Sequence, residues 1–141
     1  MDNHYITNML CKLKWLFEKI DHKLKVFFPH LHDTLVMVNR SQPLLNGMLG
    51  LFPCGFLNYN YSCAAHIDSN DYKHGVAAII TFGDYTGGQL VLHDWRAVVQ
   101  SKPGTLVFLK AHEVIHSVAP YTGIRNSLVL YLPNSMIGGQ Y

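Results

Sequence analysis

Over residues 6–28, apolar side chains recur at Leu10, Leu13, Phe17, Ile20, Leu24 and Phe27, a spacing that keeps them on one stripe of a 3.6-residue helix. Lys12, Lys19 and Lys23 fall on the opposite side. The pattern predicts one amphipathic helix over 6–28, with its stripe on a core and its lysines in water. Pro29 and His30 break it. From Leu35 the texture changes to short runs of Val, Ile, Leu, Phe and Tyr between turn residues, the mark of an all-β sandwich or barrel. Strands are predicted at 35–38, 48–51, 55–61, 76–82, 89–92, 97–100, 105–109, 114–118 and 127–132. Gly83-Asp84, Gly87-Gly88, Lys102-Pro103-Gly104 and Pro120-Tyr121-Thr122-Gly123 read as the turns between them. Strands of this number and length suit a mainly β jelly roll with the helix packed outside. No repeat, low-complexity tract or linker interrupts it. The expectation is a single domain over residues 1–141, with the jelly-roll core at 35–132.

Composition adjusts this picture only slightly. The 141 residues, 49% of them apolar, are enough for one core. No apolar run approaches the roughly 18 residues that span a bilayer, so no membrane partner is expected. The start MDNHYITNML has no signal-peptide pattern. Three widely spaced cysteines, Cys11, Cys54 and Cys63, fit reduced, mostly buried thiols better than a disulfide framework. Together these predict an intracellular protein. The net charge of +2 is too small to argue for nucleic acid, and five of the eleven basic residues lie between Lys12 and Lys25. Any basic surface therefore belongs to the first helix.

The candidate chemistry begins at His66-Ile67-Asp68. On an extended backbone residues i and i+2 point to one side, so this imidazole and carboxylate can face one point. His116, in a strand-like run fifty residues later, can supply a third ligand. Two histidines and a carboxylate on one face of an octahedral ion leave three positions open, the arrangement of non-haem iron(II) oxygenases. Arg125 follows in Arg125-Asn126-Ser127, where a guanidinium and a hydroxyl could grip a carboxylate together. A buried Arg needs an anionic partner, and residues 117–141 contain no Asp or Glu. A ligand carboxylate is the natural candidate.

In order and spacing, His66-x-Asp68, His116 and Arg125-x-Ser127 resemble the motifs of the 2-oxoglutarate/iron(II) dioxygenase superfamily. Gly87-Gly88-Gln89-Leu90 is similar to its mid-barrel G-G-x-L, and residues 102–108 to the turn and strand before its second histidine. The resemblance covers roughly residues 55–132 and implies a double-stranded β-helix. It implies Fe(II) held by His66, Asp68 and His116, which are then the catalytic centre, with 2-oxoglutarate and dioxygen as co-substrates. It also implies that Arg125, Ser127, Asn58 and Tyr61 touch 2-oxoglutarate. Within the superfamily, residues 66–71 and 82–88 most resemble fungal TET/JBP-like enzymes, which oxidise methyl groups on nucleobases. That resemblance makes nucleic acid a candidate partner and the nucleus the expected compartment, with the cytoplasm otherwise; a monomer is expected. Prolyl-hydroxylase-like and AlkB-like oxygenases are the alternatives.

A rival motif overlaps the site. His112-Glu113-Val114-Ile115-His116 spells H-E-x-x-H, the zinc-protease signature, which requires a helix. No His, Asp, Glu or Cys follows in residues 117–141 to complete it, and Val114, Ile115 and Val118 favour strand. The other alternative is a jelly-roll module that binds without turnover, which would have no need of all four of His66, Asp68, His116 and Arg125. His4, His22, His30, His32, His74 and His93 have no second donor at ligand spacing. Asp71 and Tyr72 stand close enough to the ligands to line a substrate mouth, with a cap on the turn as the equal alternative for Asp71, and Trp15 and Trp95 are expected to be packing residues.

Overall fold

The apolar stripe of the first segment does form helix, but in two pieces. In the computed structural model, which describes residues 3–41 and 49–137, α1 (Asn3–Lys12) and α2 (Lys14–Phe27) meet at Leu13. No glycine or proline marks that break in the sequence. Phe17, Ile20 and Leu24 are buried as the pattern requires, while Phe27 is 61% exposed. A third helix, α3 (Pro29–Ser41), takes the place of the strand expected at 35–38. Pro29 begins this helix, where its missing N–H removes a donor that would have no helical partner anyway. Leu31, Leu35 and Val38 then fall on one face and join the cluster around Phe17 and Leu24. Helical spacing was present there, hidden by the β-branched run around it.

Of the strand expected at 48–51, Met48 lies outside the described residues, and residues 49–51 form a turn. That turn is held by α2: the Leu51 amide donates to the Asp21 carboxylate at 3.1 Å. Gly50 has φ +67, and a Cβ there would lie 2.5 Å from Asp21 Oδ2.

Among the described residues seven strands follow: β1 (Cys54–Tyr59), β2 (Ala77–Gly87), β3 (Leu90–Leu92), β4 (Ala97–Val99), β5 (Leu106–Leu109), β6 (His116–Val118) and β7 (Tyr121–Tyr131). They form two antiparallel sheets, ordered β1-β7-β2-β5 and β4-β3-β6. The middle of the four-stranded sheet carries apolar side chains on both faces. Ala78, Leu130 and Phe108 turn toward α2 and α3, while Ala77, Leu109, Val107 and Val129 turn toward the second sheet. This is why Ala77–Ile80 and residues 106–109 are continuous apolar runs rather than alternating ones. The fold is a double-stranded β-helix with helices packed on its outer face.

Two expected turns are not turns. Gly83-Asp84 and residues 121–123 lie inside the long β2/β7 ladder, paired from Ala78↔Leu130 to Gly87↔Tyr121, with Pro120 just ahead of it. Gly83 and Gly123 have φ of +117 and +96, and a Cβ at either would stand 2.2 Å from a carbonyl oxygen of the other strand. The glycines are there for close backbone approach within a bent ladder. Gly87-Gly88 and residues 102–104 do turn the chain, as expected.

Candidate active site

His66 and His116 are brought together by backbone. They form an isolated antiparallel bridge, with the His66 amide donating to the His116 carbonyl at 3.1 Å and the His116 amide donating back at 2.9 Å. The next turn is fixed by the Asp68 amide donating to the Ala111 carbonyl and the Asp71 amide donating to the Asp68 carbonyl, both 2.9 Å. Each imidazole donates from Nδ1 to the carbonyl two residues before it, His66 to Ala64 and His116 to Val114, both at 2.8 Å. A carbonyl can only accept, so each ring donates from Nδ1, which leaves Nε2 as the nitrogen free to serve as a metal ligand. His66 Nε2 lies 3.2 Å from Asp68 Oδ1, and His116 Nε2 lies 4.0 Å from Asp68 Oδ2. Three donor atoms, one from each residue, fall within 4.8 Å of one another. Two imidazole nitrogens and a carboxylate so arranged fit a divalent first-row metal ion.

Arg125 sits mid-strand in β7 and is 3% exposed. Among the described residues no carboxylate pairs with it, and its buried Nε has no hydrogen-bond partner. Ser127, two residues along the same face, is also buried and accepts from Asn58 Nδ2 across the β1/β7 pair at 3.2 Å. A buried guanidinium with no paired anion is costly, and a hydroxyl beside it completes a cradle for a carboxylate. One cavity of about 720 Å³ is lined by His66, Asp68, His116, Arg125, Ser127 and Asn58, with the exposed Tyr61 also on its wall.

Asp71 lines the same cavity, where burial first and the nearby Asp68 second push its carboxyl up to about 6. Burial likewise raises the Cys63 thiol in that wall, against a backbone hydrogen bond from Val118 and the charge of Arg125. Tyr72 instead packs into the core beside the helices. His112 turns aside and pairs with Glu113 at 3.0 Å, in a turn rather than a helix, so the H-E-x-x-H reading fails on backbone conformation. Two further expectations fail on exposure: Trp15 and Trp95 are both largely in solvent, and Cys11 is exposed rather than buried. A wall of the cavity absent from the sequence reading is the stacked pair Phe56–Tyr131, with ring centres 5.1 Å apart and planes 6° from parallel. These residues meet across β1 and β7, a juxtaposition that no local spacing encodes.

A double-stranded β-helix carrying a His-x-Asp pair, a distant His and a buried Arg in one cavity defines the class of 2-oxoglutarate/iron(II) oxygenases. The family model of Tet/JBP proteins, described as the oxygenase domain of the 2OGFeDO superfamily, matches residues 2–134. The chain belongs to that family. The solved structure of NgTET1 in complex with 5mC DNA superposes with a TM-score of 0.72 at 24% identity, covering 87% of this chain. This chain spans 49% of that one. No curated protein matches the chain. Among the described residues no helix is long and apolar enough to cross a membrane.

Proposed function

We propose that this chain is a working dioxygenase that couples oxidation of an organic substrate to turnover of 2-oxoglutarate, with a methylated nucleobase in DNA as the substrate class. The observation that carries the reading is a buried arginine, with no carboxylate partner among the described residues, in the same cavity as a two-histidine, one-carboxylate donor set. His66, Asp68 and His116 would hold Fe(II). Bound there, the iron supplies dioxygen activation and the oxidative decarboxylation of 2-oxoglutarate to succinate that drives substrate oxidation.

The chain's own residues bind and orient. Arg125 offers its fork to the far carboxylate of 2-oxoglutarate, and Ser127 adds a hydroxyl donor that Asn58 keeps in place. Tyr61 lines the cavity with much of its side chain in solvent. The flat Phe56–Tyr131 wall and the Asp71 carboxylate suit a planar ring that carries an N–H donor on its edge. A nucleobase has both features, and NgTET1, of the same fold, is described with 5mC DNA.

The test is succinate formation by the full chain with Fe(II), 2-oxoglutarate and an oligonucleotide containing 5-methylcytosine. Oxidised methylcytosine in step with succinate is the expected result. Succinate formed without base oxidation would move the substrate to a peptide or small molecule. No iron-dependent turnover with any substrate class would reduce the chain to a binding module.

A further inference from the structure

The bed on which the Arg125 side chain lies is built from residues that the reading above leaves unused. Across the β2/β7 ladder Arg125 stands opposite Gly83, and Tyr85 stands opposite Gly123. Residues two apart on a strand share a face, so these four positions form a square on one side of the sheet. Two corners have no side chain. The remaining two meet on the diagonal, and the guanidinium carbon of Arg125 lies 5.7 Å from the centre of the Tyr85 ring. A diagonal contact of this length is within reach of aromatic and long side chains.

The ring is itself anchored. The Tyr85 hydroxyl donates to the Ser101 carbonyl at 2.5 Å, and Ser101 is 3% exposed. Ser101 Oγ reaches Thr81 Oγ1 at 3.4 Å, and Thr81 Oγ1 donates to the Lys102 carbonyl at 3.0 Å, so the tether joins a buried polar chain. Tyr121 meets the ring edge-on at 6.4 Å. On another side the arginine is bounded by Gly88, where a Cβ would stand 2.7 Å from its Cδ and 2.8 Å from its Nε. Any larger residue there must displace the guanidinium.

We propose that Tyr85 is a positioning residue for co-substrate binding. Its tethered ring offsets part of the cost of burying the Arg125 charge and sets the plane of the fork that meets the far carboxylate of 2-oxoglutarate. Gly88 supplies the clearance. The inference rests on Arg125 being the partner of that carboxylate, and it adds the residues that decide which way Arg125 points.

The experiment titrates 2-oxoglutarate into the full chain loaded with Mn(II), a redox-stable probe for the metal site, and compares wild type, Tyr85→Phe, Tyr85→Leu and Gly88→Ala. Tyr85→Leu is expected to weaken 2-oxoglutarate about tenfold while Mn(II) affinity stays at the wild-type value. Tyr85→Phe keeps the ring and loses only its tether, so its loss is smaller, about threefold. Gly88→Ala loses at least as much as Tyr85→Leu. In the iron enzyme the same variants lose more in the KM for 2-oxoglutarate than in kcat. In an Arg125→Met background, Tyr85→Leu has no further effect on binding.

Wild-type affinity in Tyr85→Leu, equal losses for Mn(II) and 2-oxoglutarate, or an undiminished effect in the Arg125→Met background overturns the proposal. If Tyr85→Leu does not fold, unchanged binding in Gly88→Ala overturns it. If wild type fails to bind 2-oxoglutarate, the function proposed above falls while the Tyr85–Arg125 pairing is still read by urea unfolding of the Gly88→Ala, Tyr85→Phe and Arg125→Met proteins and their double variants; strictly additive midpoints overturn it.

Discussion

At the scale of single residues, the site depends on what each donor atom can no longer do. His66 and His116 have committed Nδ1 to backbone carbonyls, so Nε2 is the nitrogen each offers, and one Asp68 oxygen faces each of them, at 3.2 and 4.0 Å. Asp68→Ala removes the anionic member of the set. Its metal-dependent turnover should fall by more than the roughly 100-fold that loss of an outer-shell partner costs, as measured by succinate formation at saturating 2-oxoglutarate. Arg125→Lys keeps the charge and loses the planar fork. A hydrogen bond to a charged group contributes about 1.5–3 kcal/mol, so the KM for 2-oxoglutarate should rise at least tenfold, with a smaller change in kcat. A KM at the wild-type value would mean that the buried arginine serves the fold alone.

At the scale of elements, the helices are joined to the sheet by specific contacts as well as by the apolar core. Asp21 of α2 accepts from the Leu51 amide, and its carboxyl is raised from 3.8 to about 6, chiefly by burial; the Leu51 hydrogen bond and His32 pull the other way, and Glu18 adds to the rise. Because the folded chain holds this proton more tightly than the unfolded chain, the group's contribution to stability is greatest below pH about 4. It declines as pH rises through about 6. Asp21→Asn can still accept from Leu51 and carries no charge. Its thermal midpoint should exceed that of wild type above pH 6, and the gap should close below about pH 4 in parallel melting curves. Gly123 makes a different join. A side chain there needs an unfavourable φ, which costs on the order of 1–3 kcal/mol, and also meets the Asp84 carbonyl at 2.2 Å. Gly123→Ala should lower the free energy of urea unfolding by more than about 2 kcal/mol and weaken 2-oxoglutarate binding, because the same ladder carries Arg125.

At the scale of the whole molecule, one sheet separates two apolar clusters, and Leu130 is fully buried in the cluster shared with the helices. Helices and sheets that share a core in this way should lose their signals in one transition. Leu130→Ala should cost about 2–5 kcal/mol without splitting that transition, measured by circular dichroism alongside tyrosine and tryptophan fluorescence. Separate helical and sheet transitions would show that the helices are a detachable unit.

The sequence by itself determined the elements whose signal is local: the helical stripe through Phe17, Ile20 and Leu24, six strand positions from 55–61 to 114–118, and a seventh whose second half is 127–132. It also determined the chemical vocabulary of the site, because His66 and Asp68 share a side of an extended chain and Arg125 has no acidic neighbour downstream. Where local signals competed, it misled. The run Leu35-Val36-Met37-Val38 has strand composition on a helical face, and Gly83 and Gly123 carry turn chemistry inside a ladder. Only the tertiary structure decided that His116 stands across a backbone bridge from His66, that Phe56 stacks on Tyr131, and that Tyr85 lies under Arg125. Those meetings are fixed by cross-strand register and by the bend that glycines allow, and register is a relation between distant segments that no window of the chain contains.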